Sequence, residues 1–313
     1  MTSSSSNRYK ITWVDDVTGV KEAVKELGRE DYIAVDCEGW NLSREGTLDI
    51  LSVATRHQDV YLFDIDKLGA LAFDSGMKRL LESDSDTSTK LMYDCRNDAD
   101  ALMHLYGVKL SGVLDLQLLE VIHRKSKGQG IEFLSGLKKS LDIYSFSNKV
   151  KETKNKGIRE IEDGKKKGVN IWAGRPLSAH LKEYCAVDTA ALFPLVKVLK
   201  RGRSDREMSI AMEGSERFAN YFRSYESLPM KEFICNAFLP LKIIFLAATS
   251  SVSDSEPSEK CQGCRKEFAK AELKVSVLAI DAQLCSVCKK IELQARDALS
   301  AKKDLYIWNK VSQ

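Results

Sequence analysis

The sequence predicts an α/β fold, a mixed β-sheet flanked by helices, with a small cysteine-bearing module behind it. Three observations carry this. Short runs rich in β-branched and aromatic residues, at 32–35, 48–54, 60–63, 90–93 and 113–115, alternate with segments whose apolar residues recur at helical spacing. That alternation puts helices on the faces of a sheet. The runs 48–54 and 60–63 are joined by a polar turn, Arg56-His57-Gln58-Asp59, which makes them an antiparallel hairpin and the sheet mixed. Two Cys-x-x-Cys pairs then stand together near the C-terminus, beyond a Ser-rich stretch.

In chain order, Met1 to Asn7 form a polar tail, expected to be disordered, and residues 9–13 an edge strand. Val20, Ala23, Val24 and Leu27 share one face of a helix over 17–27, closed by Gly28 as a C-cap. Tyr32-Ile33-Ala34-Val35 suit a strand covered on both faces. After the hairpin come a helix over 70–81, a polar loop at 83–89, a strand at 90–93, a helix over 98–106 ended by Gly107, and a strand at 113–115. Helices follow at 116–123 and 131–141.

Between Asn148 and Gly168 lysines outnumber acids, and Gly157, Gly164 and Gly168 interrupt the pattern, so this stretch reads as a mobile basic loop. It is a solvated insertion or a phosphate-contacting flap that would use Lys149, Lys151, Lys165, Lys166 and Lys167. Pro176 fits at or near the first turn of a helix. A helix pair spans 177–200, more helix runs over 205–248, and residues 249–259 form a linker. The expected domains are 8–202, a helical extension 203–248, and a finger with a C-terminal helix at 260–313.

The 313 residues suffice for one large domain and a smaller one, with 43% hydrophobic and 30% charged residues, an ordinary globular balance. A net charge of +3 gives no general attraction to nucleic acid, so such binding must come from local patches. The polar start lacks the apolar run of a signal peptide. The apolar stretch 233–248, broken by Pro240 and Lys242, is too short to span a bilayer and reads as buried helix. No membrane is expected, and the location is intracellular, nuclear or cytoplasmic. In such a reducing compartment the eight cysteines are thiols or metal ligands rather than disulfides.

Chemistry concentrates where the strand at 32–35 ends. Asp36 and Glu38 are two apart, so on extended backbone they point to one face. Two acids on one face repel unless a cation lies between them, and hard divalent ions prefer carboxylate oxygens. An isolated Asp-x-Glu is most often a solvated loop, so further carboxylates must decide. Lys90 to Leu102 runs from strand into helix with Asp94, Asp98 and Asp100 as competing candidates, and an acid in a first helical turn is also favoured simply as a cap. Tyr184 and Asp188, four apart, share a helical face.

The ordered set resembles the DEDD superfamily of 3′–5′ exonucleases, in its RNase D-like, Tyr-bearing (DEDDy) branch. Asp36-Cys37-Glu38 matches the first motif, Gly46-Thr47-Leu48 onward the next strand, and Asp94-Cys95-Arg96-Asn97-Asp98 the second motif, with Asp98 at the catalytic position. Val113-Leu114-Asp115-Leu116-Gln117, Arg175-Pro176-Leu177 and Tyr184-Cys185-Ala186-Val187-Asp188 resemble the later regions. The superfamily's other branch carries His five residues before the last Asp, where this chain has Glu183. The resemblance spans about residues 8 to 200 and implies an RNase H-like fold, catalytic residues Asp36, Glu38, Asp98, Tyr184 and Asp188, and two Mg²⁺ or Mn²⁺ held by the four acids. It also implies that Asp36, Glu38 and Asp188 hold the ion carrying the attacking water, that Asp36 also touches the second ion with Asp98 assisting, and that Tyr184 orients and helps deprotonate the water. The activity implied is 3′–5′ hydrolysis of RNA or single-stranded DNA, with Trp40 and Arg175 as further nucleic-acid contacts. Trp40 is equally plausible as core. The alternative is a weak or inactive nucleic-acid-binding scaffold of the same fold acting in RNA processing. A third reading, a fold that only docks proteins, predicts neither oligonucleotide nor metal binding.

Cys261, Cys264, Cys285 and Cys288 form two Cys-x-x-Cys pairs about 20 residues apart, the spacing of a structural, four-thiolate Zn²⁺ site in an intracellular chain. A hairpin over 273–280 and a helix over 289–301 would make it look like a treble-clef finger. Its lysines could face nucleic acid, or a protein partner. Cys37, Cys95, Cys185 and Cys235 read as buried thiols.

Overall fold

The computed structural model describes residues 9–131, 134–144 and 146–224, and in the C-terminal part residues 258–263, 267–269, 273–275, 283–285, 288–289, 291–293 and 296. The chain divides into two units, residues 1–131 with 135–224, and residues 132–134 with 225–313.

In the first unit, β1 (Lys10–Val14) leads into α1 (Val17–Leu27), whose N-cap Asp16 accepts the Gly19 amide at 2.8 Å. β2 (Tyr32–Glu38), β3 (Ile50–Ala54) and β4 (Asp59–Asp64) form an antiparallel meander in which Asp36 lies opposite Ser52 and Leu51 opposite Phe63. A broken helical stretch follows, α2 (Ile65–Leu68), α3 (Ala70–Ala72) and α4 (Lys78–Glu82). The expected continuous helix over 70–81 is interrupted by a π-turn at 73–77, where Gly76 adopts φ 117°, a conformation an L side chain would resist. β5 (Thr89–Met92), α5 (Arg96–Tyr106) and β6 (Val113–Asp115) complete the sheet, ordered β1-β4-β3-β2-β5-β6 with β5 parallel to both β2 and β6.

β2 is therefore interior to the sheet. Its Ile33, Ala34 and Val35 are fully buried, as the near-continuous apolar run requires. The strand cannot shift register without exposing them. That fixes where its two acids emerge.

Helices α6 (Leu116–Ser126), α7 (Leu137–Ile143), α8 (Asn148–Lys167), α9 (Ala179–Ala190), α10 (Leu192–Lys200) and α11 (Asp205–Arg223) follow. α9 lies across β2, β3 and β4. α11 packs on α5 and β6 through Ser215, whose Oγ accepts the Asp115 amide at 2.8 Å, and Phe218, 4.5 Å beneath the Arg96 guanidinium. The first compact unit thus includes α11 and reaches Ser224. The expected helix beyond Arg223, the linker at 249–257 and the tail at 1–7 lie outside the described residues.

Three expectations are corrected or refined. The helix expected over 131–141 is α7, which starts at Leu137. Pro176, expected at or near a first turn, lies near it rather than in it: the cap of α9 is Ser178, its Oγ accepting the Leu181 amide at 3.2 Å. The third matters most: residues 148–167 are not a loop but a 20-residue helix, α8, capped by Ser147 and ended by Gly168. Val150, Lys154, Gly157, Ile161 and Gly164 fall at spacings of three and four and form the inward stripe, with Lys154, Gly157 and Gly164 buried. Glycine costs a helix about 1 kcal/mol against alanine. Here it permits close approach: a Cβ on Gly157 would stand 2.3 Å from Tyr184 Cδ2 and 2.7 Å from Tyr184 Cβ, and one on Gly164 would stand 2.4 Å from Ile171 Cγ2.

In the second unit, β7 (Ser258–Lys260) pairs antiparallel with β8 (Glu267–Ala269), and β9 (Lys274–Val275) with β10 (Gln283–Leu284). The hairpin expected within 273–280 therefore closes further on, at 283–284. Cys261, Leu273, Leu284, Cys285 and Cys288 form a small core. Helix is present at 288–289, 291–293 and 296, where the sequence reads as helical.

Gly157→Ala should lower stability. Tyr184 Cβ cannot swing away as a flexible tip can, so overpacking of about 1–3 kcal/mol outweighs the helix-propensity gain of about 1 kcal/mol. Urea unfolding should show a reduced midpoint, and an unchanged or raised midpoint would contradict the close α8–α9 contact.

Candidate active site

The period-two geometry of β2 places the Asp36 and Glu38 carboxylates on one face, and α9 lies across the sheet close to them. Carboxylate oxygens of Asp36, Glu38 and Asp188 all fall within 4.8 Å of one another. Asp188 comes from the buried side of α9 and is 5% exposed. Asp98 sits in the first turn of α5, 7% exposed, and its Oδ1 accepts the Cys37 amide at 3.0 Å. That bond ties the start of α5 to the strand between the two β2 acids. Asp98 thus borders the three-carboxylate group without being one of its three members.

Its two competitors are spent elsewhere. Asp94, at φ 63° in the strand-to-helix turn, holds Arg96 at 2.6 and 2.8 Å, while Asp115 accepts the Asp94 and Cys95 amides at 3.1 and 2.8 Å. Asp100 is fully buried against Arg44, accepting from its backbone amide at 2.8 Å and from its guanidinium at 2.7 and 3.0 Å.

Two groups complete the site. Tyr184, one turn before Asp188 on α9, packs its ring 6.2 Å from Trp172. Lys154 of α8, 5% exposed, places Nζ 2.6 and 2.7 Å from the two Asp188 oxygens, 3.5 Å from the Tyr184 hydroxyl and 4.6 Å from the centre of its ring. Sequence reasoning missed Lys154, because residues 148–168 read as a loop. The three-and-four spacing from Val150 to Gly164 was the signal that could have found it.

Charge is in excess here. Burial, then the neighbouring Asp98 and Asp188, push the Asp36 carboxyl well above its usual range, opposed by Lys154 and a hydrogen bond to Glu38. Burial, then Asp36 and Asp188, do the same to Glu38, again opposed by Lys154. Burial lifts Asp98 to about 7, with Asp94 adding to the rise and the bond from Cys37 opposing it. Burial, then Asp188, Glu38 and Asp36, hold the Tyr184 phenol protonated well past its ordinary value of 10.0. Cys37, Cys95 and Cys185 are buried with thiol pKa values pushed well up by burial first and by nearby acids second, so they are inert core thiols, as expected. Carboxylates drawn together out of water in this number are short of positive charge, and an all-oxygen donor set of that kind fits Mg²⁺ or Mn²⁺.

The expected nucleic-acid contacts separate. Arg175 is committed elsewhere: its guanidinium grips Asp64, with Nε at 2.7 Å, donates to the Trp172 carbonyl at 2.6 Å and lies 5.4 Å from the Trp13 ring centre. These contacts brace the chain before α9. Lys149, Lys165, Lys166 and Lys167 are exposed on α8, Lys166 facing Asp163 at 3.5 Å, and Lys151 pairs with Asp142 at 3.7 Å. Trp40, half-buried just past β2, donates its backbone amide to Thr47 Oγ1 at 2.8 Å.

In the second unit the sulfur atoms of Cys261, Cys285 and Cys288 lie within 4.8 Å of one another, and all three residues are buried. The Cys285 amide donates to Cys261 Sγ at 3.2 Å. The fourth expected ligand, Cys264, lies outside the described residues. Buried, converging thiols with backbone amides aimed at sulfur fit a zinc knuckle. Among the described residues no helix is long and apolar enough to cross a membrane.

A 3′–5′ exonuclease family model matches residues 11–202. Among curated proteins the chain is 33% identical over 183 residues to piRNA biogenesis protein EXD1 of Bombyx mori, covering 57% of this chain and 52% of that protein. It is 34% identical over 186 residues to the Mus musculus protein of the same name, covering 56% of this chain and 30% of that one. The chain therefore spans about half, or less, of the length of these relatives. Among solved structures, RNase D of Trypanosoma brucei superposes with a TM-score of 0.58 at 22% identity, over 76% of this chain and 80% of that one. The same RNase D in complex with RNA U12 gives 0.58 at 23% identity, over 76% and 78%. RNase D of Escherichia coli gives 0.50 at 16%, over 72% and 53%. At these identities the likeness is one of fold, and it agrees with the RNase H-like sheet expected from the motifs.

The acids predict a pH dependence for the metal-free chain. Asp98 keeps its proton up to about 7 when folded, against 3.8 ordinarily, so between those values the folded chain binds more protons than the unfolded one. Stability should fall as pH rises from about 4 to about 7, and Asp36 and Glu38, also raised, act in the same direction. Urea unfolding in EDTA should show this slope, and Asp98→Asn should flatten it. A stability that climbs with pH through this window would contradict the buried-acid arrangement.

Proposed function

The chain belongs to the 3′–5′ exonuclease family, and from that premise we propose that it is a metal-dependent nuclease removing nucleotides from the 3′ end of RNA or single-stranded DNA. The observation that carries the proposal is the convergence of Asp36, Glu38 and Asp188 from a central strand and a helix 150 positions later, with Asp98 at the border and Tyr184 one turn away. Gathering acids in this way, Asp98 and Asp188 buried and Asp36 and Glu38 half-buried, costs stability unless a cation neutralises them.

In this reading Asp36, Glu38 and Asp188 hold divalent cations, with Asp98 contributing directly or through water. Such ions supply a nucleophilic water at neutral pH and offset the charge that gathers on the phosphate and on the departing oxygen. The remaining work belongs to the chain. Tyr184 Oη would orient the attacking water, and would take its proton only as the phenolate, a form that bound dications would favour over the protonated phenol of the metal-free chain. Asp98, bonded to the Cys37 amide, keeps β2 and α5 in register so that the acids stay together. The exposed lysines of α8 supply phosphate contacts to the strand. RNA is the first substrate to test, because the relatives are named for piRNA biogenesis and the RNase D neighbour was solved with RNA. In the second unit, Cys261, Cys264, Cys285 and Cys288 hold one structural zinc, which stabilises a module too small to fold on its apolar contacts alone. That module serves nucleic acid or a protein partner.

The second reading, an inactive scaffold, is favoured by one observation: Lys154 occupies both oxygens of Asp188. One assay separates the two. Purified protein with Mg²⁺ or Mn²⁺ should shorten 5′-labelled single strands stepwise, with EDTA abolishing the reaction. Asp36→Asn and Asp188→Asn should each eliminate it, and Tyr184→Phe should slow it by roughly 10²-fold or more. Activity undiminished in the Asp variants would remove these acids from the mechanism. No activity with any metal on RNA or DNA would select the scaffold. Separately, protein purified without chelator should carry zinc that Cys285→Ser loses, and zinc-free wild-type protein would refute the finger.

A further inference from the structure

Lys154 is the feature of the site that neither the sequence motifs nor the family match accounts for. Its ammonium is bound by Asp188 through both carboxylate oxygens, at 2.6 and 2.7 Å, inside a pocket from which water is largely excluded. A carboxylate gripped on both oxygens has little left to offer a metal ion. A dication brought within coordinating distance of Asp188 would also stand against the ammonium, and like charges that close, partly shielded from water, repel one another. The lysine and a divalent ion therefore compete for the same two atoms.

We propose that Lys154 is the resident counter-cation of the metal-free site, and that divalent metal binds Asp188 only by displacing it. This rests on the reading that Asp36, Glu38 and Asp188 are metal ligands. The placement of Lys154 is built into the fold. Gly157, three residues on along the same face of α8, lets the helix backbone come against Tyr184, and Gly164, a further seven on, does the same against Ile171. α8 is thereby pressed onto α9 at the turn that carries Tyr184 and Asp188. The four-carbon stem of lysine then lets the charge leave while the helix stays in place. The ammonium lies 3.5 Å from the Tyr184 hydroxyl, so the same displacement frees the phenol to meet a water.

In the metal-free state Lys154 neutralises part of the acid group and keeps the apo fold from being driven apart by its own carboxylates. Metal affinity is lowered in return, because part of the binding energy goes into removing the lysine. A chain arranged in this way stays folded where metal is scarce and changes state as metal rises.

The test is Mn²⁺ binding to the full chain, followed by the electron paramagnetic resonance signal of free Mn²⁺, together with thermal unfolding in EDTA. Lys154→Met should bind Mn²⁺ about tenfold more tightly than wild type and unfold at a lower temperature in EDTA, with added Mn²⁺ restoring the lost stability. Lys154→Arg, which keeps the charge, should stay within about twofold of wild type in affinity. Should Lys154→Met fail to fold without metal, Lys154→Gln, purified in Mn²⁺ and then titrated, gives the same comparison. Equal or weaker affinity in the neutral variants would overturn the proposal while leaving the metal reading intact. Absence of Mn²⁺ binding in wild type and neutral variants alike would overturn both.

Discussion

Crowding of carboxylates at the end of β2 is the constraint on which the first unit is built. Asp36 and Glu38 emerge from a strand locked in the middle of the sheet, and Asp188 and Asp98 meet them from two helices. Burial and mutual repulsion together push Asp36, Glu38 and Asp98 upward in pKa. Such a group persists only if the surrounding packing holds it, and the packing here is extensive. α9 is buried across three strands, and α11 braces α5 and β6 from beyond the motif region. The fold spends stability to keep negative charge concentrated, which is what a site for dications requires and what a purely structural core avoids.

Much of this was legible in the residues themselves. A period of two placed Asp36 and Glu38 together, and a spacing of four paired Tyr184 with Asp188. The choice of Asp98 over Asp94 and Asp100 was not legible from local pattern, since all three are acids near one helix start. It rested on the family resemblance; in the structure Arg96 and Arg44 pair with the other two. The pairing of Arg175 with Asp64, 111 positions away, was not legible, because long-range ion pairs leave no local trace. Helix α8 was lost for a related reason. Glycine reads as a breaker when only its own segment is in view. Gly157 and Gly164 make sense once Tyr184 and Ile171 are known to lie against them.

Recovery of α8 changes how the site is understood. The basic character of residues 148–168 suggested a flap reaching for phosphates, and the exposed lysines keep that role open on the outer face. The inner face does something different. It closes one side of the acid group with a cation carried by the chain. In the second unit three buried thiols, Cys261, Cys285 and Cys288, gather in a small core with Leu273 and Leu284, a sulfur donor set of the kind that suits zinc. The chain thus carries two groups that could hold a metal ion, one of carboxylate oxygens and one of thiols.

The central claim is that Asp36, Glu38 and Asp188 together form a divalent-cation site. X-ray diffraction at the manganese edge, from crystals soaked in Mn²⁺, tests it most directly. Anomalous density should appear among these three carboxylates, and a second peak, if present, should lie about 4 Å from the first on the side of Asp98. Crystals saturated with Mn²⁺ that show no anomalous density at these oxygens would contradict it.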